Sequence, residues 1–158
     1  MSKFIPMKQF KTVIEYAPLI SIDFITMFQD KVLLGKRRNK PALGYYFTLG
    51  GIVKKNESFQ EAQKRIAKDE LGIELIQETK FLGIFEHFYD DSIFDSISTH
   101  YVNHGYLLEL NSELKNLPKD QHSQYKWFKI DELLGSNEVH KYVKDYFKNL
   151  NLIAGEYK

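Results

Sequence analysis

The chain has 158 residues, of which 43% are hydrophobic, enough to fold as one domain around a true core. Lys and Arg number 22 against 21 Asp and Glu, so no overall field draws nucleic acid or a membrane surface, and any anion site has to be local. The absence of cysteine excludes disulfides and thiolate metal centres, no stretch is long enough to span a bilayer, and the start MSKFIPMKQF lacks the apolar run of a secretory signal. The expectation is a cytoplasmic domain occupying 1–158.

In chain order, PMKQFKTVIEYA places Pro6 at a first helical position, with Phe10, Val13, Ile14 and Ala17 at helical spacing. PLISIDFITMF and KVLLGKR are rich in β-branched and apolar residues, and the QD between them predicts a hairpin turn. YYFTLGG reads as a third strand ending at paired glycines. A helix follows from about Ser58 to Leu71: Ser58 and Glu61 have the spacing of a capping box, and Gly72 stands where a left-handed cap residue belongs. KFLGIFEHFYD and HYVNHGYLLEL predict strands around the polar loop DSIFDSIS. YKWFKI predicts a last strand, with Trp127 in the core, and NEVHKYVKDYFKNL a closing amphipathic helix. Strands and helices do not alternate regularly, which predicts a mixed sheet packed between helices.

The segment GIVKKNESFQEAQKRIAKDELGI carries the chemistry. Gly51, Glu57, Arg65, Glu70, Gly72 and Ile73 stand at the spacing of the Nudix box, and the segment resembles the loop–helix–loop of that family. The physical logic agrees. Gly50 and Gly51 let backbone approach an ion or phosphate closely, and the helix can aim carboxylates at a hard cation. Arg65 lies four residues from both Glu61 and Asp69 and is placed to pair with them along the helix. Two positions depart from the box. Ile66 and Asp69 stand where the family has glutamates; Ile66 cannot ligate a metal and Asp69 is one methylene short. Fewer carboxylates hold fewer metal ions, which argues against multi-metal attack on phosphorus.

PLISIDFI, LLGKRRNKPALGYYF, EHFYDD, THYV, QHSQYKW and NEVHKYVKDYF together resemble the GDP-mannose mannosyl hydrolase branch of the Nudix family, over about residues 18–147. That branch has the same shortened box and cleaves GDP-sugars at sugar C1. The resemblance implies a Nudix α/β/α sandwich with a mixed central β-sheet, a homodimer, and Mg²⁺, with Mn²⁺ as the alternative, held by Glu70, the Gly50 carbonyl and the Gln121 side chain. Asp69 is an ion-pair partner of Arg65 or a water-mediated contributor to the metal.

The resemblance assigns the general base to His122, in the loop PKDQHSQY, and an unperturbed imidazole titrates near neutrality as a base should. Arg37, in the basic run GKRRNK, corresponds to the arginine that stabilises the departing diphosphate, for which a guanidinium fork suits phosphate oxygens better than lysine. Tyr101 corresponds to a tyrosine acting on the same leaving group, or is a core aromatic. Asp23 and His87 correspond to residues near the sugar, or are satisfied polar groups at strand ends. The branch has Arg after the paired glycines, where this chain has Ile52. His100, His104 and His140 have no assigned role. The rival readings are an ordinary Nudix pyrophosphohydrolase, with Asp69 replacing the lost glutamate, and a non-catalytic module that binds nucleotide-sugars.

Overall fold

The run LISIDFITMF is apolar at both parities, as expected for a strand covered on both faces. In the computed structural model, which describes residues 4–149, it forms β1 (Leu19–Phe28) at the centre of the sheet. Ile22 and Phe24 point to one face, with Leu33, Leu49 and Leu108; Ile25 and Met27 point to the other, with Val32, Leu34, Leu107 and Phe128.

The predicted turn at Gln29-Asp30 joins β1 to β2 (Lys31–Arg37), pairing Met27 with Val32 and Phe28 with Lys31. Beyond those pairs the two strands diverge, and the segment predicted as one strand fills the opening as two. β3 (Tyr46–Phe47) pairs with β2, and β4 (Leu49–Ile52) pairs with β1. The break falls at Thr48, whose hydroxyl turns to Asp23. β5 (Lys80–Tyr89) and β6 (Thr99–Glu109) form an antiparallel pair, and β6 runs parallel to β1 from Leu19↔Tyr101 to Met27↔Glu109. β7 (His122–Lys129) lies antiparallel to β2 and begins earlier than the YKWFKI segment suggests. The seven-stranded sheet is therefore mixed, in the order β3-β2-β1-β6-β5, with β4 on β1 and β7 on β2.

Helices cover both faces. α1 (Met7–Tyr16) starts after Pro6, which is its N-cap rather than its first helical residue, and packs Ile14, Phe10 and Val13 against Leu19, Ile52, Ile97 and Tyr101. α2 (Phe59–Ile66) continues into a π-helical turn, Ala67–Leu71. Together they lay Ala62, Ile66, Ala67 and Leu71 on the Ile22–Phe24 face. On the opposite face sit Leu133 of α3 (Ile130–Gly135), a helix the sequence pattern did not indicate, and Val143, Tyr146 and Phe147 of α4 (Lys141–Asn149). α4 is shorter at its start than NEVHKYVKDYFKNL suggests, because Val139 instead bridges to Tyr46; Leu150 lies outside the described residues. The result is the expected α/β/α sandwich around a mixed sheet.

Candidate active site

Local chemistry fixes the box helix. Ser58 Oγ accepts from the Glu61 amide at 3.1 Å, and Glu61 Oε2 accepts from the Ser58 amide at 2.7 Å, the predicted capping box. This commits Glu61 and removes it as a partner for Arg65. Arg65 turns instead to Glu57: Nε donates to Oε1 at 2.6 Å and Nη2 to Oε2 at 3.0 Å, while Nη2 also donates to the Ile52 carbonyl at 2.8 Å. A bidentate pair of this kind ties the helix to the loop before it and holds the Glu57 carboxyl below the usual carboxylate range. Asp69 joins more loosely, 3.7 Å from Arg65 and 57% exposed. The sequence-based pairing of Arg65 thus holds for Asp69 and not for Glu61.

The π-helical turn sets the direction of the next residues, and Gly72 closes it at φ 68. Ile66 points into the core, 1% exposed, beneath Gly51. Glu70 points inward to the cavity and is 7% exposed, with no described hydrogen bond or ion pair. Burial, reinforced by the Asp69 charge and opposed by Arg37 and Arg65, raises its carboxyl to about 7. A buried carboxylate without a partner is a costly group unless a cation completes it. Gly50 is equally constrained, since a Cβ there would collide with the Ile22 carbonyl oxygen and Asp23 Oδ1. Glu70, the Gly50 carbonyl and the Gln121 amide are all hard oxygen donors, and their residues line one cavity, so the donor set fits a magnesium-like ion. Among the described residues, no three His, Cys, Asp or Glu side chains cluster as a protein-only metal cage.

His122 is the first residue of β7, not a loop residue, and sits across from Arg37 of β2. Its ring packs on Gly35, where a Cβ would come within 2.6 Å of Cδ2. It is 3% exposed. Burial first, then the Arg37 and Arg38 charges, bring its imidazole down to about 4, so the ring is neutral at physiological pH. Nδ1 lies 3.5 Å from the Tyr125 hydroxyl, which donates to the Pro118 carbonyl; Nε2 is buried without a protein partner. Arg37 ends β2 with its Nε donating to the Pro41 carbonyl at 2.7 Å, and it enters no described ion pair.

Asp23 is 8% exposed, and burial raises its carboxyl to about 6 against the lowering effect of bonds from Tyr146 and Thr48 and of the Arg37 charge. His87 is 3% exposed and, lowered to about 4 by burial and the nearby His140, is also neutral. Burial pushes the Tyr101 hydroxyl up, keeping it protonated. A cavity of about 740 Å³ is lined by Asp23, Arg37, Gly50, Glu70, His87, Tyr101, Gln121 and His122, so every residue selected from the sequence reaches one space. Asn103, Thr48 and Tyr89 also line it, and Tyr146 stands behind Asp23. Each of these reads from sequence as an ordinary strand or helix residue, and only the packing reveals its place.

The sheet order, the capped helix behind paired glycines and the cavity between them define a Nudix protein. The NUDIX domain model matches residues 18–149, and the chain belongs to that family. It is 38% identical over 149 residues to the Low-salt glycan biosynthesis protein Agl8 of Haloferax volcanii, covering 93% of this chain and 91% of that protein. A shorter match, 38% identical over 69 residues, joins 43% of this chain to 40% of the ADP-ribose pyrophosphatase of Methanocaldococcus jannaschii. Among solved structures, the MutT NUDIX hydrolase from Burkholderia pseudomallei superposes with a TM-score of 0.69 at 23% identity, over 84% of this chain and 98% of that one, a likeness of fold.

Proposed function

We propose that this protein hydrolyses GDP-mannose or a related GDP-sugar to GDP and free sugar, with water attacking sugar C1 and inverting it. The observation that carries the reading is the fate of the box carboxylates. Glu57 is bound to Arg65, Asp69 also borders the cavity but is 57% exposed and paired loosely with Arg65 at 3.7 Å, and Ile66 is core, so Glu70 alone remains buried and unpaired. One carboxylate with neutral oxygens suits one Mg²⁺, or Mn²⁺ in its place, rather than a multi-metal cluster that activates water against phosphorus.

Glu70, the Gly50 carbonyl and Gln121 would hold that ion, which supplies positive charge to the diphosphate. Arg37, steadied through Nε by the Pro41 carbonyl, directs its remaining guanidinium donors to the diphosphate oxygens. The protonated Tyr101 hydroxyl donates to the same leaving group. His122, neutral and with Nε2 free of protein partners, takes a proton from water on that nitrogen as the water oxygen bonds to C1. The C1–O bond breaks and its electron pair departs with GDP. Because the water enters opposite the leaving group, the anomeric centre inverts, as in inverting glycosidases. Asp23 and His87 accept or orient the sugar hydroxyls.

The similarity to a glycan biosynthesis protein along nearly the whole chain favours a nucleotide-sugar substrate. The shorter similarity to an ADP-ribose pyrophosphatase favours the second reading, cleavage between the phosphates. The reading includes a homodimer, for which edge strand β5 offers Phe81, Ile84 and Phe88, exposed by 51%, 60% and 58%. The reading also places the protein in the cytoplasm; separately, among the described residues no helix is long and apolar enough to cross a membrane.

Metal titration separates the two enzyme readings. Glu70→Gln should lower turnover and raise the metal concentration it needs far more than Asp69→Asn does, and one ion per site should suffice. Several ions per site, with both variants equally damaged, would favour cleavage at phosphorus.

A further inference from the structure

α4 brings two tyrosines, four residues apart and so on one helical face, against the wall of the cavity. Tyr146 is wholly buried, and its hydroxyl donates to Asp23 Oδ2 at 2.5 Å. The same oxygen of Tyr146 accepts from Asn103 Nδ2, whose Oδ1 in turn accepts from the Ser21 hydroxyl at 2.8 Å. Thr48 Oγ1 supplies a second donor to Asp23 Oδ2 at 3.0 Å. Donation therefore runs from Ser21 through Asn103 and Tyr146 to the carboxylate, each bond polarising the next. Both protein donors use Oδ2, which leaves Asp23 Oδ1 for a ligand.

Tyr142 acts on the neighbouring group. Its ring stacks on the His87 imidazole, 4.4 Å between centroids and 8° from parallel. Its hydroxyl is fixed by the Phe88 backbone, donating to the carbonyl at 2.7 Å and accepting from the amide at 3.0 Å. Phe47 meets the imidazole edge-on at 6.0 Å. Packing alone thus holds His87, and its Nε2 is buried with no protein partner. Filling the core would require only the volume of phenylalanine; the Tyr146 hydroxyl does something more specific.

We infer that Tyr146 and Tyr142 are positioning residues that hold Asp23 and His87 for the hydroxyls of the sugar, so that α4 determines how strongly the site prefers a GDP-sugar to GDP. The identity of the ligand rests on the function proposed above. Neither tyrosine lines the cavity itself.

The test uses the full chain with Mg²⁺ and a His122→Gln background, in which slow turnover allows calorimetry with GDP-mannose and with GDP. Tyr146→Phe and Thr48→Val should each lower the preference for GDP-mannose over GDP roughly tenfold, the order of one weakened hydrogen bond between the sugar and a misplaced Asp23, while GDP affinity stays the same. Tyr142→Leu should do likewise, and Tyr142→Phe, which keeps the stacked ring, should restore the preference. Tyr146→Phe retains the ring that fills the core, and thermal melts report its folding separately. A preference that survives in Tyr146→Phe and Tyr142→Leu would overturn the inference, as would equal weakening of both nucleotides or a parent protein with no preference. Failure of the proposed cleavage looks different: phosphate-cleavage products from a protein whose sugar preference still depends on these tyrosines would sink the mechanism and support the positioning role.

Discussion

His122 and Gly35 form a pair whose consequences are measurable one residue at a time. The imidazole is buried, and burial with two nearby arginines lowers it from its ordinary 6.5 to about 4. A base works when deprotonated, so His122 should contribute the lowest acid limb, as the pH drops toward 4, below the limb that Asp23 sets near 6 and, until a metal binds it, Glu70 near 7. His122→Gln should lower kcat by ~10²–10⁴-fold, leave nucleotide binding largely intact, and abolish that acid limb. Near wild-type turnover with an unchanged profile would remove His122 from the mechanism. Gly35→Ala tests the position of the ring rather than its chemistry. The new methyl would press on Cδ2 and Cγ at 2.6 and 2.8 Å, and the ring has to shift. Displacement of a reacting group by a fraction of an ångström should cost roughly 10²-fold in kcat with the fold retained, read by kinetics beside circular dichroism. Unaltered kinetics in Gly35→Ala would show that the imidazole need not sit where it does.

At the scale of elements, the box helix gives a structural task to position 66, where the resemblance leads one to expect a glutamate. Ile66 is part of the cluster with Ile22, Phe24, Leu33 and Leu49, and packs under Gly51. Ile66→Glu restores the family glutamate in sequence but places a charge among those side chains. It should destabilise the protein by about 3 kcal/mol or more in denaturant unfolding, the usual consequence of an unpaired buried charge. A stable variant that binds additional metal would show instead that the helix can turn that residue to the cavity. Much of this element, and of the β1–β2 hairpin, was legible because the signals are local: the Ser58–Glu61 box, the Gly72 cap and the Gln29-Asp30 turn each depend on a few adjacent residues. The break of YYFTLGG at Thr48 was not, because it follows from the divergence of β1 from β2, a tertiary event. Arg65 shows the same limit. Helical spacing offered Glu61 and Asp69, but Glu61 caps its own helix and the loop residue Glu57 takes the fork.

For the whole molecule, the central strand explains why distant segments meet. β1 carries Asp23, and its neighbours on either side, β4 and β6, bring Gly50 and Asn103 to the same cavity, while β2 and β7 add Arg37 and His122. The cavity residues named from sequence came from the box and, for Asp23, Arg37, His87, Tyr101, Gln121 and His122, from the resemblance carried over position by position. Tyr146 and Thr48 could not be named, since nothing local marks an α4 tyrosine or a strand threonine as a partner of a carboxylate more than twenty residues away. On the proposed mechanism this arrangement breaks the bond at sugar C1 rather than a bond to phosphorus. Hydrolysis of GDP-mannose in ¹⁸O-labelled water, followed by mass spectrometry and early proton NMR, tests it directly. Attack at C1 gives unlabelled GDP and a labelled sugar released as the inverted β-anomer before mutarotation; label in GMP or in sugar phosphate would mean attack on phosphorus.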